Sequence, residues 1–151
     1  MTNSTLSANR TGDGNPGEGG SSAGSGAGIY NRLGTVTLTN STVSGNQNGV
    51  GPEGGGRGAG IFSNSGGLSL TGCTVSNNAA GGGANSQGGG IFVSDEFALG
   101  TSASARNVIV AGNSAPGGQG PDVYGDLTLD GYNLIRNTSG ANLAENQNPG
   151  T

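Results

Sequence analysis

The chain has 151 residues, of which Gly (35), Asn (18), Ser (17) and Thr (13) make more than half, while only 26 are Leu, Ile, Val or Phe. So few large side chains cannot fill a thick, many-layered core, yet a net charge of only −4 also sets the chain apart from strongly charged disordered sequences. With no His and no Lys, a His–metal site, a Ser–His–Asp triad and a Schiff-base lysine are excluded, and five Arg against a pI near 4.4 argue against nucleic acid.

In chain order, one segment keeps returning. It opens the sequence as Met1-Thr-Asn-Ser-Thr-Leu-Ser-Ala-Asn9 and recurs as Leu38-Thr-Asn-Ser-Thr-Val-Ser-Gly-Asn46 and Leu70-Thr-Gly-Cys-Thr-Val-Ser-Asn-Asn78. Looser copies are Ala105-Arg-Asn-Val-Ile-Val-Ala-Gly-Asn113 and Leu129-Asp-Gly-Tyr-Asn-Leu-Ile-Arg-Asn137. The closing asparagines lie 37, 32, 35 and 24 residues apart. A second signature sits in each interval: Gly28-Ile29-Tyr30, Gly60-Ile61-Phe62, Gly90-Ile91-Phe92 and Asp122-Val123-Tyr124. A period of 20–50 residues marks a solenoid, propeller or array.

Within a repeat the apolar residues have period two, as in strands. Val36 and Leu38 alternate with Thr35, Thr37 and Thr39; past a kink at Asn40, Ser41 and Val43 alternate with Thr42 and Ser44. No 3.6-residue stripe appears, and Gly with β-branched residues disfavours helix. Three short strands per repeat, parted by Gly- and Asn-rich corners, predict an all-β fold: a parallel β-helix of four to five coils. The whole chain, 1–151, reads as a single domain of this kind.

Stacking the repeats predicts the core. One inward column is Ile29, Ile61, Ile91 and Val123; a second is Val36, Leu68, Ala103 and Leu127; a third is Leu38, Leu70, Ala105 and Leu129. A fourth is Leu6, Val43, Val75, Val110 and Leu134. At the corner, Asn9, Asn46, Asn78, Asn113 and Asn137 form an asparagine ladder in which each amide bonds the next coil. Cys73 aligns with Ser4, Ser41 and Val108 as a small inward side chain. Gly-rich loops at Arg10–Ala27, Gln47–Ala59, Ala79–Gly89 and Ser114–Pro121 lie on one edge, and Ser94–Thr101 is an insertion that covers an edge or rims a binding site.

These repeats, together with Gly120-Pro-Asp-Val-Tyr-Gly125 and Gly131-Tyr-Asn-Leu-Ile135, resemble those of bacterial β-helix proteins of the choice-of-anchor type, with a pectate-lyase-like coil. The resemblance implies a right-handed parallel β-helix and secretion or surface display, and supplies no catalytic residues. No basic segment followed by an apolar run opens the chain, and no apolar run reaches the ~18–20 residues of a membrane span. Met1 falls inside a repeat, as expected for a fragment or for a subunit that borrows neighbouring coils.

Chemistry-bearing candidates are few. Asp122, Asp126 and Asp130 are the weak catalytic candidates, but Asp126 and Asp130 sit about 13 Å apart on one strand, wide for a carboxylate pair. Asp122 reads as a turn residue. For calcium, Asp13, Glu18 and Glu53 are isolated where six to eight oxygens would be needed. The outward column Thr37, Ser69, Ser104 and Thr128 resembles an ice-binding face, broken by Gly67, Arg106, Asp126 and Asp130. The expectation is therefore a non-catalytic, extracellular structural or adhesin-like solenoid without cofactor or metal. Its expected partners are further copies, stacked through the coil ends into fibres, and surface glycans; polysaccharide binding or cleavage is the rival reading.

Overall fold

The computed structural model describes residues 1–15, 23–52, 54–83 and 85–145. Glu18 and Glu53, weighed above for calcium, lie outside them, as do parts of three of the predicted loops. The described residues contain strands and no helix, and every strand pair is parallel. The protein is a parallel β-helix.

Each coil contributes a strand to each of three faces. The first face is built from β2 (Ile29–Arg32), β5 (Ile61–Asn64), β8 (Ile91–Ser94) and the start of β11 (Val123–Asp130). The second holds β3 (Thr35–Thr39), β6 (Gly67–Thr71), β9 (Ser102–Arg106), the remainder of β11 and β13 (Ala141–Glu145). The third holds β1 (Thr5–Ser7), β4 (Thr42–Ser44), β7 (Thr74–Ser76), β10 (Ile109–Ala111) and β12 (Leu134–Ile135). Because β11 runs through its corner without a break, the first two faces join into one eight-stranded sheet.

The corners repeat as faithfully as the strands. Between the second and third faces the chain turns through left-handed backbone at Asn3, Asn40, Gly72 and Asn107, residue types that tolerate it. Before β2, β5 and β8, Gly28, Gly60 and Gly90 leave no room for a side chain. A Cβ on Gly60 would lie 2.5 Å from the carbonyl oxygen of Gly90 in the next coil and 3.0 Å from the Nδ2 of Asn78. The glycine of the Gly-Ile-aromatic signature is thus required by the approach of the neighbouring coil. Even the loops keep register, with bridges linking Arg10, Gln47, Ala79 and Ser114 in one row and Arg57, Gln87 and Gln119 in another.

The aliphatic columns fall where the alternation places them. Ile61, Ile91, Val123, Leu38, Leu70, Val43, Val75 and Val110 are buried in one continuous core, with Ile29, Val36, Leu6 and Leu129 partly buried against it. Each fully buried Val, Leu or Ile contributes about 1.5–3 kcal/mol relative to exposure. One position departs from expectation. Val110 pairs with Ile135, not Leu134, so Leu134 stands beside Ile109 on the outer surface and is 56% exposed. A one-residue shift of register turns every side chain of a strand to the opposite face, and Ile135 takes the inward place. Cys73 is buried, and its thiol donates to the carbonyl of Thr71, repeating the bonds of Ser4 to Thr2 and Ser41 to Thr39.

The asparagine ladder is real and has a direction. In Asn46, Asn78 and Asn113 the backbone N–H and one Nδ2 proton donate to a single side-chain oxygen of the following coil, at 2.8–3.0 Å. The second Nδ2 proton donates back to the carbonyls of Leu6, Val43 and Val75. Every donor and acceptor of these buried amides is satisfied. Asn9 donates into the ladder from its exposed end.

Asn137 does not belong to it. With Val110 opposite Ile135, Asn137 falls one position short of Asn113's row, and its side chain is exposed. The rung after Asn113 is the carboxylate of Asp122, which is 1% exposed. Asp122 occupies the column of Gly28, Gly60 and Gly90, as the next coil's carbonyl against Gly90, and its side chain reaches into the ladder. One oxygen accepts from the backbone and side chain of Asn113, and the other accepts from the backbone N–H of Asn137 at 2.8 Å.

Candidate functional site

On the outside of the first face the residue after each core Ile or Val is aromatic. Parallel pairing sets these rings above one another: Tyr30, Phe62, Phe92 and Tyr124 stack with centroids 4.8, 5.1 and 5.4 Å apart and planes within 8° of parallel. The column is a consequence of the ~4.8 Å strand spacing, which is also close to a favourable separation for offset rings. Loops enclose its middle, leaving Phe62 and Phe92 buried, while Tyr30 at the first coil is 56% exposed.

Beside the rings runs a second outward column, Arg32 and Asn64, two residues further along β2 and β5. The insertion 94–101 folds back over it. Glu96 accepts from Asn64 Nδ2 at 2.8 Å, and its backbone N–H donates to Asn64 Oδ1 at 3.2 Å. The backbone N–H of Phe97 donates to Ser65, and Asp95 closes the turn by accepting from the N–H groups of Leu99 and Gly100. The opposite wall comes from the loop leading into β5. Arg57 donates its N–H to Ser25 and accepts at its carbonyl from buried Asn48, whose Oδ1 accepts from Ala27. The Arg57 guanidinium spans to Glu96 at 3.4 Å and lies 5.4 Å from the Phe92 ring centroid. That of Arg32 lies 4.8 Å from the Phe97 ring centroid.

These parts enclose an open groove of about 400 Å³, floored by Tyr30 and Phe62 and walled by Arg32, Arg57, Asn64 and Glu96. Small-molecule sites commonly measure about 300–1,000 Å³, with an apolar floor and a few convergent polar groups. Planar guanidinium, amide and carboxylate groups around an exposed ring can bond several hydroxyls while a flat apolar surface lies on the ring. The repeat of Tyr or Phe after Gly-Ile was the sequence signal for this floor. Of the walls only the insertion 94–101 was signalled, as an edge cover or binding rim; how Arg32, Arg57 and Asn64 meet it was not, since they come from different coils.

The candidate acids do not converge. Asp122 is spent on the ladder. Asp126 is exposed on the second face, accepting from Asn142 at 2.7 Å, and Asp130 lies 3.8 Å from Arg106. The Thr37, Ser69, Ser104 and Thr128 column is in register, interrupted on its flanks by Gly67, Asp126, Arg106 and Asp130 as the sequence indicates. Among the described residues no group of three acidic, Cys or His side chains is placed to hold a metal, and no helix is long and apolar enough to cross a membrane. No protein-family model, curated protein or solved structure matches the chain.

Proposed function

We propose that this chain is a non-catalytic, adhesin-like extracellular solenoid that holds a saccharide in the groove of the first face. The observation that carries the reading is the exposed Tyr30 ring at the head of the aromatic stack, bordered by Arg32, Arg57, Asn64 and Glu96. The C–H face of a pyranose matches the π face of such a ring, and its hydroxyls match the amide, carboxylate and guanidinium groups. The in-register core and ladders make the support stiff, which suits a surface that must hold its shape when exposed. The Gly-, Asn-, Ser- and Thr-rich composition and the resemblance to surface-displayed β-helix proteins support an extracellular setting.

Titration calorimetry of the protein against a panel of neutral and charged oligosaccharides tests this. Saccharide binding at micromolar to millimolar concentration, lost in Tyr30→Ala with an unchanged far-ultraviolet dichroism spectrum and with no release of reducing ends, is the expected result. Absence of binding across the panel, or turnover of a ligand, overturns it.

End-to-end stacking of copies is a different matter at the two ends. Leu6, Ile29 and Tyr30 are partly open at the first coil, whereas at the last coil both oxygens of Asp122 are already engaged. A continued asparagine ladder would need a rung there that donates onward, and the Asp122 carboxylate has no side-chain N–H to give.

A further inference from the structure

Taking the groove to be a saccharide site, we infer that its ligand carries an oxyanion, a carboxylate or sulfate on the sugar, and that Arg32 reads it. Among the described residues the charges in the groove do not balance. Glu96 is committed to Arg57 at 3.4 Å and to Asn64 at 2.8 Å. Among the described residues no carboxylate pairs with Arg32, whose guanidinium meets only the Phe97 ring. Among the described residues this leaves one local cation without a carboxylate partner, in a chain that as a whole carries −4.

Its placement fits a ligand anion. A guanidinium held over an aromatic ring still offers five N–H donors in a planar fork, the arrangement that takes a carboxylate or sulfate bidentately. Arg32 is two residues beyond Tyr30 on the same outward face of β2, about 7 Å along the strand. A sugar ring lying on Tyr30 therefore directs an exocyclic substituent towards that fork. Phe97, 42% exposed on the insertion, packs its ring against the guanidinium, 4.8 Å from ring centroid to the central carbon.

Three oligosaccharides of one backbone test this by calorimetry at low salt: a glucuronate-containing one, its carboxyl-reduced neutral counterpart and a sulfated counterpart. We expect an anionic form to bind at least about tenfold tighter than the neutral one, with the tighter of the two naming the oxyanion, and this preference to shrink at high salt. In Arg32→Gln the anionic-over-neutral preference falls to within about twofold, whatever the change in neutral affinity, and Arg32→Lys restores part of it. Equal affinity for neutral and anionic forms, or a preference that survives Arg32→Gln, overturns the assignment to Arg32 and leaves the saccharide reading standing. Failure of all three to bind overturns both.

Discussion

The two ends of the asparagine ladder are built from the same interactions and closed by different chemistry. At the first coil Asn9 is exposed, donates to Asn46 and faces solvent beyond. At the last coil the ladder stops in the buried carboxylate of Asp122, which only accepts. An interior rung must donate in one direction and accept from the other, and an amide does both. A terminal rung at the accepting end needs only acceptors, and it meets two coils' N–H groups at once. The lesson is that a stack of equal rungs fixes its interior chemistry by repetition and its ends by the polarity of the bonds.

That contrast predicts a steep dependence of stability on position. Asn78→Ala removes the acceptor of Asn46's N–H and Nδ2 and one donor to the carbonyl of Val43, all in a buried corner. A loss of about 4 kcal/mol is expected, against about 0.5–1 kcal/mol for Asn9→Ala, by chemical denaturation. Similar losses at both positions would show that the ladder does not act through burial.

The acceptor end gives a sharper test, because Asn at position 122 looks like a natural continuation. Asp122→Asn keeps the shape but turns one oxygen into an NH₂ group facing the N–H of Asn137, donor against donor. We expect it to destabilise by about 1–3 kcal/mol and to expose the Asn137 amide to hydrogen exchange. An unchanged or raised stability would mean that the ladder has no preferred end.

Why this end escaped the sequence is instructive. The core columns were legible because every coil places its aliphatic residues at the same offsets from its Gly-Ile and closing Asn, as Ile29, Ile61, Ile91 and Val123 do. The last coil is the shortest, and matching its Asn137 to the earlier asparagines pulled Leu134 into the core by one residue. The structure keeps register with Ile135 instead and lets Asp122, from the glycine column, fill the ladder. The local pattern Gly-Pro-Asp-Val carried a turn signal, and nothing in it says that its carboxylate points into a neighbouring corner. The groove was hidden for a related reason: its aromatic floor repeats along the chain, but Arg32, Arg57 and Glu96 meet only once loops and insertion are folded onto the coil.

The register shift itself can be checked. Ile135→Ala removes a side chain packed against the core and should cost about 2 kcal/mol. Leu134→Ala truncates an exposed one and should stay within about 0.5 kcal/mol. The reverse order would restore Leu134 to the interior column.

The smallest effect belongs to the exposed counterpart of Asp122. Near the first coil Asp13 also accepts a backbone N–H from the next coil, that of Val50 at 2.9 Å, and pairs with Arg10 at 3.1 Å. The Val50 bond, with Arg10 beside it, holds the Asp13 carboxyl below its ordinary value of 3.8. A carboxyl lowered by folding stabilises the contact at every pH above its unfolded value, and that contribution fades as pH falls through the folded one. In a proton NMR titration the Val50 amide shift should therefore follow a curve whose midpoint lies below 3.8, with Arg10→Gln raising that midpoint. Exposure of the pair to water keeps the effect on global unfolding small. A midpoint at or above 3.8 would show that this solvent-facing carboxylate, unlike Asp122, contributes nothing to joining its coil to the next.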